Sequence, residues 1–222
     1  MIAEVNGIRI FFEKSGAGRP LVMVHGNGED HTIFDEAVRE LRDEYCCYCL
    51  DSRCHGQSED TRELHYRDMA TDVIAFIKSL DLRDVIFYGF SDGGIIGLMA
   101  AARCERITTL IVSGANTSPA GVGPLLRAIG WSLYLVTRDK KFRLMLKEPD
   151  IADAELQSIR AATLVLAGSH DLIPEKETRH IAAAIPGAEM QILKGESHGS
   201  YIVHSTKIAE LIRGFARGTR EG

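Results

Sequence analysis

The sequence has no excess of positive charge: 31 acidic side chains stand against 26 lysines and arginines, for a formal net charge of −5. A nucleic-acid partner is therefore not expected, because binding phosphates needs a basic surface. No apolar run approaches the length of a membrane span, and none follows basic residues at the N-terminus. Neither a membrane anchor nor a secretory leader is expected. The cysteines number five, an odd count that suits no closed set of disulfides. Three fall in "CCYC" (Cys46, Cys47, Cys49), on a stretch that reads as a buried strand. Side chains alternate between faces along a strand, so these three cannot converge on one metal. They are expected to be unpaired core residues in a reducing compartment, which makes the cytoplasm the expected location. There is also no internal repeat and no low-complexity segment. What remains is an ordinary globular composition, 45% hydrophobic and 26% charged, over 222 residues. That length suits a single domain, with or without a small insertion.

Short apolar runs alternate with longer amphipathic stretches. "LVMVHG" (21–26), "CCYCLD" (46–51), "VIFYGF" (85–90), "TLIVSG" (109–114), "TLVLAG" (163–168) and "EMQILKG" (189–195) read as strands. Most are apolar throughout, as expected where a parallel sheet is covered on both faces. Residues 34–41, 67–80, 93–103, 175–185 and 206–216 have helical spacing, the second with Met69, Val73, Phe76, Ile77 and Leu80 on one stripe. An Asn6-Gly7 turn predicts an antiparallel hairpin ahead of them, at the sheet edge. The pattern predicts an α/β fold: a doubly wound, mostly parallel sheet of about eight strands. One connection, from residue 114 to 163, is far longer than a usual crossover. Within it, residues from about 122 to 149 read as a small helical cap inserted into the single domain 1–222, with Leu126, Ile129, Leu133 and Val136 on one face.

The chemistry begins at "YGFSDGG". Gly89-Phe90-Ser91-Asp92-Gly93 matches G-x-S-x-G between a buried strand and a helix start. That context makes it a nucleophile elbow, whose tight turn needs neighbours without Cβ. A serine nucleophile needs a base, and the base needs an acid to orient it. "GESHGSY" places His198 after the last strand, and "AGSHDLIP" places Asp171 after the one before. The order Ser91, Asp171, His198 puts all three just beyond carboxyl ends of strands, where such sheets build sites. Seven other histidines compete: His25, His31, His55, His65, His170, His180 and His204, none at the matching position. An acid after the preceding strand is excluded, since no carboxylate occurs between Glu105 and Asp139. An oxyanion hole requires two backbone donors. "VMVHGNGED" offers the amide of Asn27, and the residue after the nucleophile offers that of Asp92.

With these motifs in hand, the whole chain resembles an α/β-hydrolase-fold serine hydrolase. "DSRCHGQS" (51–58) is similar to the D-x-R-G-x-G-x-S segment of that superfamily, with Cys54 in place of its first glycine. "GFSDGG" resembles in particular the valacyclovir-hydrolase-like and proline-iminopeptidase-like branches and other small esterases. The resemblance implies hydrolysis of a small-molecule ester, thioester, amide or lactone through an acyl-enzyme, with no metal or other cofactor. Two other chemistries on the same triad stay open: C–C bond hydrolysis and cofactor-free perhydrolysis. So does a non-catalytic small-molecule receptor, and so does the choice between monomer and homodimer. For the substrate pocket, Leu126, Ile129, Trp131 and Leu133 are expected from the cap. The Asp92 carboxylate either meets a substrate ammonium or only faces the helix dipole. A basic cap (Arg127, Arg138, Lys140, Lys141, Arg143, Lys147) hints at the opposite substrate charge.

Overall fold

The apolar runs form the middle of an eight-stranded sheet. The computed structural model describes residues 1–221. The strands are β1 (Ile2–Val5), β2 (Ile8–Ser15), β3 (Arg19–Val24), β4 (Tyr45–Leu50), β5 (Val85–Phe90), β6 (Ile107–Ser113), β7 (Ala162–His170) and β8 (Glu189–Ser197). Their spatial order is β1-β2-β4-β3-β5-β6-β7-β8. β1 and β2 form an antiparallel hairpin, β2 runs antiparallel to β4, and all other pairs are parallel. The hairpin turn has φ of 51° at Asn6 and 75° at Gly7, the two left-handed residues that suit strand twist.

Helices cover both faces. On one side lie α1 (Asp35–Leu41) and α8 (Lys207–Glu221). On the other lie α2 (Tyr66–Ser79), α3 (Asp92–Ala101) and α7 (Glu175–Ala184). β4 divides its side chains between the two cores by alternation: Cys46, Tyr48 and Leu50 face one, Tyr45, Cys47 and Cys49 the other. The cysteines therefore fill core space, and burial pushes the Cys47 thiol up to about 12. α3 is apolar all round and buried along its whole length, so it is a central support rather than a surface helix.

The topology selects where a site can form. After β3 the chain crosses to β4 on one side, and then returns to β5 on the other. The carboxyl ends of β3 and β5 are thus neighbours from which the chain leaves in opposite directions, opening a crevice. Between β6 and β7 the chain adds α4 (Pro124–Thr137), α5 (Lys140–Lys147) and the short α6 (Asp153–Gln157). α4 and α5 pack closely at Gly130, where a Cβ would stand 2.8 Å from Met145 Cε.

Candidate active site

Ser91 joins β5 to α3 with φ 52° and ψ −113°, a conformation that L-residues rarely adopt. Its neighbours explain why the turn needs glycine. A Cβ on Gly89 would meet Gly93 O at 2.1 Å, and one on Gly93 would meet Val24 O at 2.0 Å. The strained backbone is anchored by the Ser91 N–H, which donates to Ser113 O on β6 at 2.7 Å. The hydroxyl is thereby aimed outward from a rigid turn.

His198 directly follows β8, and its Nε2 lies 3.1 Å from Ser91 Oγ. Its Nδ1 lies 2.6 Å from Asp171 Oδ1. An ionised carboxylate only accepts, so Nδ1 carries the proton, and Nε2 presents its lone pair to the serine hydroxyl. Asp171 also accepts from Ile173 N–H at 2.9 Å and Gly168 N–H at 3.2 Å. Burial works to raise the Asp171 carboxyl, but His198 and these two amides outweigh it and hold the group below its ordinary value. The imidazole fits because Gly114 has no side chain. A Cβ there would stand 2.6 Å from His198 Cε1, and φ is +62°. Phe90 backs the ring at a centroid distance of 5.0 Å.

Asn27 and Asp92 meet across the crevice. Asn27 Nδ2 donates to Asp92 Oδ2 at 2.8 Å and to Lys141 O in α5 at 3.2 Å. Asp92 is the first residue of α3, where a backbone N–H has no intrahelical acceptor and the helix end is electropositive. Its carboxylate is 5% exposed and engaged by Asn27. Burial pushes this carboxyl up to about 6, partly offset by the Tyr66 hydroxyl and the Asn27 amide.

A cavity of about 210 Å³ opens over Ser91. Gly26, Asn27, Glu29, Asp92, Asn116 and His198 form its polar side. Phe90, Val122, Leu126, Met145, Leu172 and Ile173 form its apolar side. Of the four pocket residues expected from the insertion, Leu126 lines this cavity. Ile129, Trp131 and Leu133 do not, and they are 40–47% exposed. The reason lies in the packing of α4: it turns Gly130 onto Met145 and Leu146 of α5, so the apolar stripe through Ile129 and Leu133 faces outward.

Glu29 is the charged liner that sequence reasoning missed, along with Asn116, Val122, Met145, Leu172 and Ile173. Its only signal was a position two residues past Asn27 in "HGNGED". Its Oε2 accepts the Gly26 N–H at 2.9 Å. A larger groove of about 560 Å³, between the β7–β8 edge and α8, is lined among the described residues by no serine, cysteine or histidine.

The alpha/beta hydrolase family model matches residues 21–211 of the chain. The protein belongs to the alpha/beta hydrolase family. This hydrolase is 27% identical to the AB hydrolase superfamily protein YisY of Bacillus subtilis, over 94% of this chain and 96% of that one. It is 25% identical to the 2-hydroxymuconate semialdehyde hydrolase of Pseudomonas sp. (strain CF600), over 94% and 90%. Among solved structures, the esterase EaEST of Exiguobacterium antarcticum superposes with a TM-score of 0.83 at 20% identity, covering 98% of this chain and 99% of that one. The relatives it resembles are named for different activities, so the shared fold fixes the scaffold and leaves the substrate open.

Proposed function

We propose that this alpha/beta hydrolase cleaves small carboxylic esters through an acyl-enzyme on Ser91. The carrying observation is the hydrogen-bonded line Asp171–His198–Ser91, with spacings of 2.6 and 3.1 Å, ending at the mouth of a cavity. His198 Nε2 takes the hydroxyl proton as Ser91 Oγ attacks the ester carbonyl. The oxyanion is held by the backbone amides of Asn27 and Asp92. His198 then protonates the departing alkoxide, and an alcohol leaves. A water, deprotonated by His198, attacks the acyl carbon and releases the acid with Ser91 restored. Asp171 keeps the imidazole in one tautomer and stabilises its protonated form. In this reading α4 and α5 serve as a cap, with Leu126 and Met145 bounding the acyl space. Cavity size favours short acyl groups, since drug-sized ligands need about 300–1,000 Å³.

The 2-hydroxymuconate relative supports a second reading, hydrolysis of a C–C bond on the same triad. Muconate is a carboxylate, however, and among the described residues no lysine or arginine lines this cavity. The ester reading therefore ranks first. The test is a fluorophosphonate probe: wild type should be labelled and Ser91→Ala should not. Equal labelling of both would remove Ser91 from the mechanism.

A further inference from the structure

The cavity has a charge that the ester chemistry does not use. Glu29 is half-buried, and its carboxylate has one hydrogen bond, to the Gly26 amide, and no ion pair among the described residues. It faces the nucleophile across a narrow gap. A methyl group built on Gly26 would stand 2.7 Å from Glu29 Oε2 and 3.1 Å from Ser91 Cβ. Among the described residues none that lines the cavity is a lysine or an arginine, and two basic residues of α5 are paired elsewhere. Lys140 pairs with Asp60 and Arg143 with Glu63. Asp92 is no rival for a ligand's charge, because Asn27 already occupies its carboxylate. The acids that line the cavity are therefore not matched by a lining lysine or arginine, and Glu29 is the accessible one.

We propose that Glu29 is a cation subsite, and that the preferred substrates are small esters carrying a protonated amine that pairs with its carboxylate. This rests on the serine-hydrolase reading above and adds its substrate class. An unpaired carboxylate beside an apolar wall gains most from a cation that also displaces water from that wall. An anionic acyl group meets the same charge as repulsion. Burial raises the Glu29 carboxyl, with Asp92 and Asp30 adding to the effect while the Gly26 amide and His198 oppose it. An ammonium would reverse the balance and keep the group ionised.

The experiment compares three benzyl esters at pH 8: 3-aminopropanoyl, butanoyl and succinyl, which are alike in size and differ in charge. kcat/KM is measured for wild type and Glu29→Gln, normalised to Ser91 sites titrated with fluorophosphonate. The glutamine keeps an oxygen for the Gly26 amide and removes only the charge. Wild type should prefer the amine ester over the butanoyl ester by about ten-fold, between the values for exposed and fully desolvated pairs, and should disfavour the succinyl ester. Glu29→Gln should level the first two and improve the third relative to the butanoyl ester. Indifference of wild type to charge would overturn the subsite. So would an equal loss on all three esters in Glu29→Gln, since that is the signature of a residue shaping the oxyanion loop or supporting His198. If the variant does not fold, wild-type inhibition by propylammonium against propanol decides: stronger inhibition by the cation supports the subsite, equal inhibition overturns it. Absence of Ser91 labelling would instead overturn the hydrolase reading itself, and the subsite with it.

Discussion

Among the described residues, two Asp–His pairs lie wholly or partly inside the protein, and only one faces a serine. His198 donates from Nδ1 to Asp171 at 2.6 Å and offers Nε2 to a serine on a strained elbow. His31 makes the same first contact, Nδ1 to Asp51 Oδ1 at 2.8 Å. Its Nε2, however, faces the Glu13 carboxylate at 3.6 Å, and its ring packs on Phe11. Asp51 is also fully committed. It takes the His31 and Gln57 amides at 2.8 Å each and is sealed by Gly56, where a Cβ would fall 2.1 Å from Oδ2. With Asp30, this pair even brings three potential ligand atoms within 4.8 Å of one another, but Asp51's oxygens are spent on the loop. The first pair points at a reacting group, and the second pins "DSRCHGQS" against β2 and β4. A carboxylate–imidazole pair is thus a building unit, and the far nitrogen decides its use.

Breaking the first pair should dominate any activity scan. Ser91→Ala should lower ester turnover by about 10⁶-fold, the scale seen when a triad nucleophile is removed, measured as kcat on a butanoyl ester. Asp171→Asn should cost about 10⁴-fold, because the amide can donate to Nδ1 and so select the wrong tautomer. A loss of ten-fold or less for Asp171→Asn, in a folded variant, would mean that His198 is oriented by something else.

The second pair should answer differently. Asp51→Asn places an amide NH₂ where the Gln57 or His31 N–H now donates, so a buried donor goes unmet. The expected cost is about 3 kcal/mol of stability, read by denaturant unfolding, with turnover per titrated site unchanged within about two-fold. Full stability with lost turnover would place His31 in the mechanism and erase the contrast.

Sequence patterns read the first pair and missed the second for a physical reason. Ser91, Asp171 and His198 each follow a recognisable apolar strand, and a parallel sheet brings the ends of such strands to one edge. The strands were legible because residues buried on both faces must be apolar throughout. Asp51 also follows an apolar strand, but His31 opens a short 3-10 helix (His31–Phe34) whose approach to Asp51 depends on how the chain folds back, and no periodicity encodes that. Likewise Glu29 reads as a loop acid, and only the register of β3 beside β5 turns it toward Ser91. Gly114 reads as a strand terminator, although its missing side chain is what admits the His198 ring. In α4 the apolar stripe was legible but its direction was not: Gly130 meets Met145 and Leu146 of α5, a tertiary contact, so Leu126 lines the cavity while Ile129 and Leu133 are exposed.

A third carboxylate extends the comparison, because Asp92 is buried yet makes no ion pair or imidazole hydrogen bond among the described residues. Its pKa of about 6 exceeds the ordinary 3.8, so the native state holds this proton more tightly than the unfolded chain. Below the unfolded value both states are protonated and nothing is gained or lost. As pH rises toward about 6 the native protein becomes progressively less stable on account of this group, and above that the full penalty applies. Asp92→Asn removes the charge and keeps an oxygen for the Asn27 amide. It should therefore stabilise the protein by about 2 kcal/mol at pH 8, a rise in Tm of about 5 °C, shrinking toward zero at pH 4. The backbone amide of residue 92 is untouched, so turnover of a neutral ester should persist. A variant that melts lower than wild type at pH 8 would show that the Asp92 charge is compensated, and would move it into the same class as Asp171.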